Sequence, residues 1–262
     1  MTPPRLRAED RGPVRVLTID NPAKRNALDF EALEELEAAC AAAARDPVRC
    51  LVLRGAGEEA FCSGFDLAEL GGTSRRGERP DEAVERAAEA LEALACPTVA
   101  FLNGPAYGGG FELAATCDLR VAREGILLGM PPAKLGVVYP EGGLRRLLQL
   151  VGGARTRELF FLGRPVDAHT AHAWGLVNRL VPAEGAEPAA MALAEEIARN
   201  APLAVQGMKR ILRLLESTHE RGLSGAERDE IGALRRAAFE SQDILEGRAA
   251  FAERRPPRFE GR

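Results

Sequence analysis

Short apolar runs alternate with longer amphipathic stretches along the first half of the chain. Val14 to Asp20, Val48 to Arg54, Thr98 to Leu102 and Asp118 to Ala122 are short, apolar and rich in branched residues. Each predicts a short strand. Between them, Asp29 to Arg45 is alanine-rich with Leu33 and Leu36 at helical spacing, and Asp81 to Ala95 repeats the pattern. Strands alternating with helices predict an α/β core with crossover connections. After Gly142 the pattern becomes almost wholly helical. It predicts short helices over Leu144 to Val151, Arg155 to Leu162 and Ala168 to Trp174. Longer ones follow over Glu187 to Asn200 and Leu203 to Glu220, then Ala226 to Glu240 and Gly247 to Arg254. No linker, internal repeat or low-complexity block interrupts them.

Two of the predicted strands run into corners with chemical potential. After Thr98 to Leu102 comes Asn103-Gly104-Pro105-Ala106-Tyr107-Gly108-Gly109-Gly110-Phe111-Glu112, three consecutive glycines and then a carboxylate in the first helical turn. Bare glycine backbone lets a ligand approach its N–H groups, and a helix N-terminus adds free donors and positive dipole. Together they suit a negative oxygen. After Val48 to Arg54 comes Ala60-Phe61-Cys62-Ser63-Gly64-Phe65-Asp66-Leu67-Ala68-Glu69-Leu70, where Asp66 and Glu69 have capping-box spacing for a helix over 66–70. Two such corners can aim two backbone N–H groups at one thioester oxygen. Either segment alone also suits an ordinary turn with a dipole-complementing acid.

The chain resembles the crotonase superfamily, the enoyl-CoA hydratases and isomerases. Four stretches carry the resemblance in the family's order: Asn21 to Leu28, Ala60 to Leu70, Asn103 to Asp118, and Gly163 to Ala168 continuing to Trp174 to Asn178. The resemblance implies a spiral of ββα units, with an acyl-CoA-binding core over 1–195 and a C-terminal helical trimerisation region over 196–262. Position by position, it implies oxyanion donors at the backbone N–H groups of Phe65 and Gly109, and a catalytic acid at Glu112. It implies CoA and substrate contacts at Lys24, Arg25, Ala27, Asp66 and Leu67. The expected partner is an acyl-CoA thioester, with coenzyme A part of the substrate and no separate cofactor. The expected assembly is a homotrimer or a hexamer built as a dimer of trimers.

One departure matters. The family's second hydratase glutamate falls just before a Leu-Gly pair, and Met130-Pro131-Pro132-Ala133-Lys134-Leu135-Gly136 puts Pro132 there. Glu141 is a possible substitute, because related isomerases and a dehalogenase use an acid near this point of the loop; it equally suits an exposed turn. Tyr139, in Leu-Gly-Val-x-Tyr, is similar to a segment of acyl-CoA decarboxylases in which the tyrosine helps bind a substrate carboxylate. Three readings stay open: a hydratase or isomerase, a decarboxylase or other lyase, and a non-catalytic acyl-CoA or RNA-binding homologue. The last draws on Lys209, Arg210 and Arg213, which acidic neighbours offset.

Composition narrows the classes further. The 262 residues suffice for one large core, and 46% apolar with 28% charged residues is ordinary globular content. A net charge of −4 gives no general attraction to nucleic acid or acidic membrane. Five cysteines without Cys-x-x-Cys spacing fit reduced thiols in a cytoplasmic protein. Met1 to Arg5 shows no apolar signal core and no run approaches membrane-helix length. His169 and His172 could share a helix face but lack a third ligand, and Asp167 fits an N-cap better, so no metal site is expected. Gly55-Ala56-Gly57 reads as a turn, because Glu58 and Glu59 would repel a pyrophosphate. The Gly71 to Pro80 stretch reads as a flexible lid or a plain surface loop.

Overall fold

The computed structural model describes residues 5–218 and 239–255, with residues 225, 226, 229, 232, 233, 236 and 257. His219 and most of the helix expected over 226–240 lie outside the described residues. The chain starts with an antiparallel pair, β1 (Leu6–Arg11) and β2 (Val14–Ile19), joined at Gly12 with φ of +62°. The strand β1 was not read from the sequence. Its LRAEDR residues are almost all exposed, so it has no apolar pattern to betray it.

From β2 the chain passes through α1 (Phe30–Ala43) to β3 (Cys50–Gly55), then through α2 (Pro80–Glu92) to β4 (Thr98–Leu102). Asp29 is the N-cap of α1, accepting from Ala32 N at 2.8 Å. A two-residue strand, β5 (Ala106–Tyr107), leads into α3 (Gly108–Thr116), which is followed by β6 (Leu119–Arg123) and β7 (Leu127–Gly129). Next come α4 (Glu141–Arg157), β8 (Val166–Asp167), α5 (Ala168–Ala173), β9 (Arg179–Val181), α6 (Ala186–Arg199) and α7 (Pro202–Thr218). A C-terminal helix covers Gln242–Ala252. The two short helices expected between 144 and 162 are α4, broken at Gly152 (φ +73°, ψ 172°), and one wide turn over Glu158–Leu162.

The main sheet has six strands in the order β1-β2-β3-β4-β6-β9, parallel beyond the first pair. The small sheet, β5-β7-β8, was also missed, since two- and three-residue strands carry no period. Both faces of the main sheet are covered, which explains why all five residues of β4 are buried. Leu17, Leu53, Ala100 and Leu102 join α1, α2 and α3 in one core. Val16, Val52, Val99 and Val121 face Ala190, Leu193, Ala194 and Ala198 of α6 in the other. Because α6 packs on the sheet along its length, the division expected at 195/196 falls inside one helix. The strands alternate with helices as the pattern predicts, and further helices follow this core toward the C-terminus.

Two local expectations are corrected. The 66–70 segment forms a single 3-10 turn, Leu67–Glu69, rather than a longer helix, although Asp66 does cap it by accepting from Ala68 N at 3.0 Å. The 71–80 segment is pinned. Ser74 is buried, its Oγ accepts from Arg76 N and Glu78 N at 3.1 Å each, and Arg86 clamps Glu78 at 2.8 Å.

Candidate active site

The two corners meet beyond the C-terminal ends of β3 and β4. Asn103 is buried at the end of β4, where its Oδ1 accepts from Gly55 N at 3.0 Å. Its Nδ2 donates to Gly55 O at 3.0 Å and Gly57 O at 2.7 Å. Asn26 Nδ2 donates to Ala56 O and Ala60 O at 3.0 and 2.8 Å, tying the early loop to the same corner. The first corner then runs alongside the second: Phe61 N donates to Pro105 O at 3.0 Å and Tyr107 N to Cys62 O at 3.0 Å. Glycines allow this approach. A Cβ at Gly104 would stand 2.7 Å from Ala60 backbone, and one at Gly110 2.5 Å from Cys62 Cβ.

This geometry leaves two N–H groups open. Leu28 N donates to Gly64 O at 2.8 Å and Asp66 N to Leu28 O at 2.7 Å, so the N–H of the intervening Phe65 faces the other way. Gly109 is in the first turn of α3, where no earlier helical carbonyl exists to accept. Among the described residues neither N–H has a partner. The segments are close enough that a Cβ at Gly64, whose φ is +96°, would stand 3.7 Å from Gly109 N. At its far end α3 is capped by buried Arg120, which donates to Cys117 O at 2.6 Å and Leu176 O at 2.7 Å.

Phe65, Gly109 and Glu112 line one cavity, with Leu67, Leu70, Val84, Leu135, Val137 and Tyr139 among its other walls. Glu112 is 1% exposed. Tyr139 donates its hydroxyl to Glu112 Oε2 at 2.5 Å, and Arg146 Nη1 donates to Oε1 at 3.0 Å. Burial pushes the Glu112 carboxyl up to about 7, and neighbouring Glu85 adds to the rise. The Tyr139 hydrogen bond and the Arg146 charge pull the other way. Burial and the adjoining Glu112 raise the Tyr139 hydroxyl well above its ordinary value. Glu112 is thus a carboxyl held near neutrality beside two backbone N–H groups without partners among the described residues.

The other expected residues divide. Pro132 also lines the cavity, at the place of the absent second glutamate. Glu141 opens α4 but is exposed and does not reach the cavity wall. Lys24 is paired with Asp66 at the rim, and Arg25 lines an adjoining cleft with Glu59, Ser63 and Tyr107. Ala27 is buried, its carbonyl accepting from Asn21 Nδ2 at 3.2 Å. Lys209 is turned inward to Asp118 at 2.6 Å and Cys96 O at 3.1 Å, so α7 does not display a continuous basic face. His172 Nδ1 lies 2.9 Å from Val177 O, and Asp167 caps α5, accepting from Thr170 N at 2.8 Å. All five cysteines are buried and unpaired.

Sequence reading missed Arg146 and Glu85. In α4 the leucines Leu144 and Leu148 are 36% and 50% exposed while Arg146 is 6% exposed. Leu147 beside it is 1% exposed, so the buried face of this helix carries a charge next to an apolar residue. The glycine pair Gly142-Gly143 was the available signal, since it admits the carboxylates.

Comparison with known proteins gives the family. The enoyl-CoA hydratase/isomerase family model matches residues 9–262. A probable mitochondrial enoyl-CoA hydratase 2 of Arabidopsis thaliana is 36% identical over 98% of this chain and 84% of its own. Carnitinyl-CoA dehydratase of Proteus mirabilis is 36% identical over 98% of each chain. The structure of methylmalonyl-CoA decarboxylase complexed with 2S-carboxypropyl-CoA superposes with a TM-score of 0.90 at 30% identity, covering 100% of both chains. With its paired corners, buried acid and near-complete match, the chain belongs to the enoyl-CoA hydratase/isomerase family and is a crotonase-fold enzyme acting on acyl-CoA.

Proposed function

We propose that the protein is of enoyl-CoA hydratase/isomerase type, with Glu112 as its acid–base group. The observation that carries this reading is Glu112: buried, held near neutrality, and lining the same cavity as the open Phe65 and Gly109 N–H groups. The thioester oxygen accepts from those two donors, and they stabilise the charge that develops on it as the enolate forms. One such donor is worth on the order of 3–4 kcal/mol in the transition state. Glu112 takes or returns the proton at the acyl carbon. The CoA portion is assigned to Lys24, Arg25, Ala27, Asp66 and Leu67 by the family resemblance, and Leu67 lines the cavity. The test follows loss of conjugated-thioester absorbance from crotonyl-CoA and double-bond migration in a 3-enoyl-CoA. Turnover that disappears in Glu112→Gln supports the reading; full turnover in that variant sinks it.

The second reading is decarboxylation of a 2-carboxyacyl-CoA. Tyr139 on Glu112 and Pro132 in the cavity wall favour it. Loss of carbon dioxide generates the enolate without a base, so a second carboxylate is not required. Release of carbon dioxide from methylmalonyl-CoA, without action on crotonyl-CoA, would select this reading.

A homotrimer or hexamer is part of the proposal. Leu203, Met208, Ile211 and Leu212 of α7 are each more than half exposed, at 85, 57, 56 and 58%. Such an apolar face fits contact between copies, and light scattering on the purified protein gives the mass directly; a monomer would overturn it.

A further inference from the structure

Arg146 is buried beside the cavity and faces three carboxylates. Its Nη1 donates to Glu112 Oε1 at 3.0 Å and to Glu85 Oε2 at 3.2 Å. Its Nη2 donates to Glu85 Oε1 at 3.2 Å and to Glu92 Oε2 at 3.1 Å. One guanidinium cannot neutralise three carboxylates. Arg146 Nη1 is thus within hydrogen-bond reach of Glu112 Oε1 and Glu85 Oε2 at once, which gathers the two carboxyls at one nitrogen. The start of α4 leaves space for this pair. A Cβ at Gly142 would stand 1.8 Å from Glu85 Oε1, and one at Gly143 2.8 Å from Glu112 Oε1.

The two carboxyls differ in their access to water. The Glu112 side chain is 1% exposed and that of Glu85 20%. Glu112 lines the cavity and Glu85 does not, so the open edge of Glu85 faces solvent elsewhere. An acyl group filling the cavity removes what water contact Glu112 has, and leaves that of Glu85 in place.

We propose that Glu85 is the proton-exchange partner of Glu112, carrying the acyl-carbon proton between that buried carboxyl and solvent while Arg146 holds the two in register. The inference rests on Glu112 being the acid–base group. The α-carbon C–H bond breaks, its electron pair stays on the enolate, and an O–H bond forms on Glu112. That proton passes to the Glu85 carboxylate, which meets Glu112 at Arg146 Nη1, and leaves from Glu85 to water. The reverse path returns a solvent proton to the α-carbon. The charged and titratable groups that face Glu112 are Tyr139 before α4, Arg146 on α4 and Glu85 on α2, with Glu92 acting through Arg146.

The test is deuterium wash-in at the α-carbon of butyryl-CoA in D2O, read by mass spectrometry. It needs an enolate but neither hydration nor carbon–carbon cleavage. Glu85→Gln is expected to slow wash-in on the order of 10-fold with unchanged butyryl-CoA binding, against a loss of on the order of 10²-fold or more in Glu112→Gln. The pH midpoint of wash-in is expected to fall in Glu85→Gln, because the anion that raises Glu112 is gone. Glu92→Gln, which reaches Glu112 only through Arg146, is expected to exchange as the unaltered protein does. Unaltered wash-in and pH midpoint in Glu85→Gln overturn the relay. If that variant does not fold, Glu85→Asp, which withdraws the carboxyl by one methylene, carries the same comparison. Wash-in absent from unaltered protein that binds butyryl-CoA overturns the relay alone, since the turnover assays still report on Glu112. Full wash-in and turnover in Glu112→Gln overturn the reading of Glu112 itself.

Discussion

The Tyr139 hydroxyl donates to Glu112 Oε2 at 2.5 Å, across 27 residues of chain. This length is typical of a charge-assisted O–H···O⁻ bond, and it stabilises the ionised carboxylate. Removing it in Tyr139→Phe is expected to raise the Glu112 carboxyl above its value of about 7. A base with a raised pKa is ionised only at higher pH. The acid limb of the rate profile should therefore move to higher pH, a shift that pH-dependent kcat/KM measurements on the best substrate will detect. An unmoved limb would separate Tyr139 from Glu112 titration.

Glu112 costs the fold stability at alkaline pH. Its folded value of about 7 lies above the ordinary 4.5, so the native state binds the extra proton between those values. The stabilisation is complete below 4.5 and is lost as pH rises through about 7. A rise of this size corresponds to on the order of 3 kcal/mol. Glu112→Gln is accordingly expected to be more stable than the unaltered protein at pH 8, with the gain vanishing near pH 4.5. Urea unfolding at the two pH values tests this, and an equal difference at both contradicts it.

Gly64 fixes the separation of the two open donors. Its φ is +96°, and a Cβ there would stand 3.0 Å from Tyr107 O, immediately before α3. Gly64→Ala is expected to displace the Phe65 N–H relative to Gly109 and lower kcat on the order of 10²-fold. CoA-ester affinity should change much less, because the rim residues are untouched. Steady-state kinetics with calorimetric binding separates the two; equal losses in both would point to general misfolding.

Asn103 is expected to be a stability determinant of the site. Its side chain satisfies Gly55 N, Gly55 O and Gly57 O within the buried corner. Asn103→Leu strands these groups, at a cost of about 1–3 kcal/mol for a buried unsatisfied donor or acceptor. Denaturant midpoints measure it. A loss below a few tenths of a kcal/mol would mean that water replaces the amide.

The sequence by itself determined the elements whose signals are local. The strand Thr98–Leu102 has its expected bounds because a threonine and four consecutive apolar residues between turn formers suit a strand buried on both faces. Asp167 caps its helix as expected, since capping needs only residues three apart. The glycines of both corners were legible for the same reason, whereas Glu112, expected in the first turn of α3, is its fifth residue and falls in the second. Tertiary structure decided what surrounds that acid. Arg146 reaches Glu112 across 34 residues and Glu85 across 61, with no sequence period linking them. The pattern of α4 does not mark it either, because Arg146 is buried next to Leu147 while Leu144 and Leu148 face outward. Glu141, the acid that the sequence offered, is exposed at the start of the same helix whose sixth residue, Arg146, turns to the carboxylates. Periodicity reports which face is apolar. It cannot report that burying one charge is stabilised by three opposite charges arriving from elsewhere in the chain.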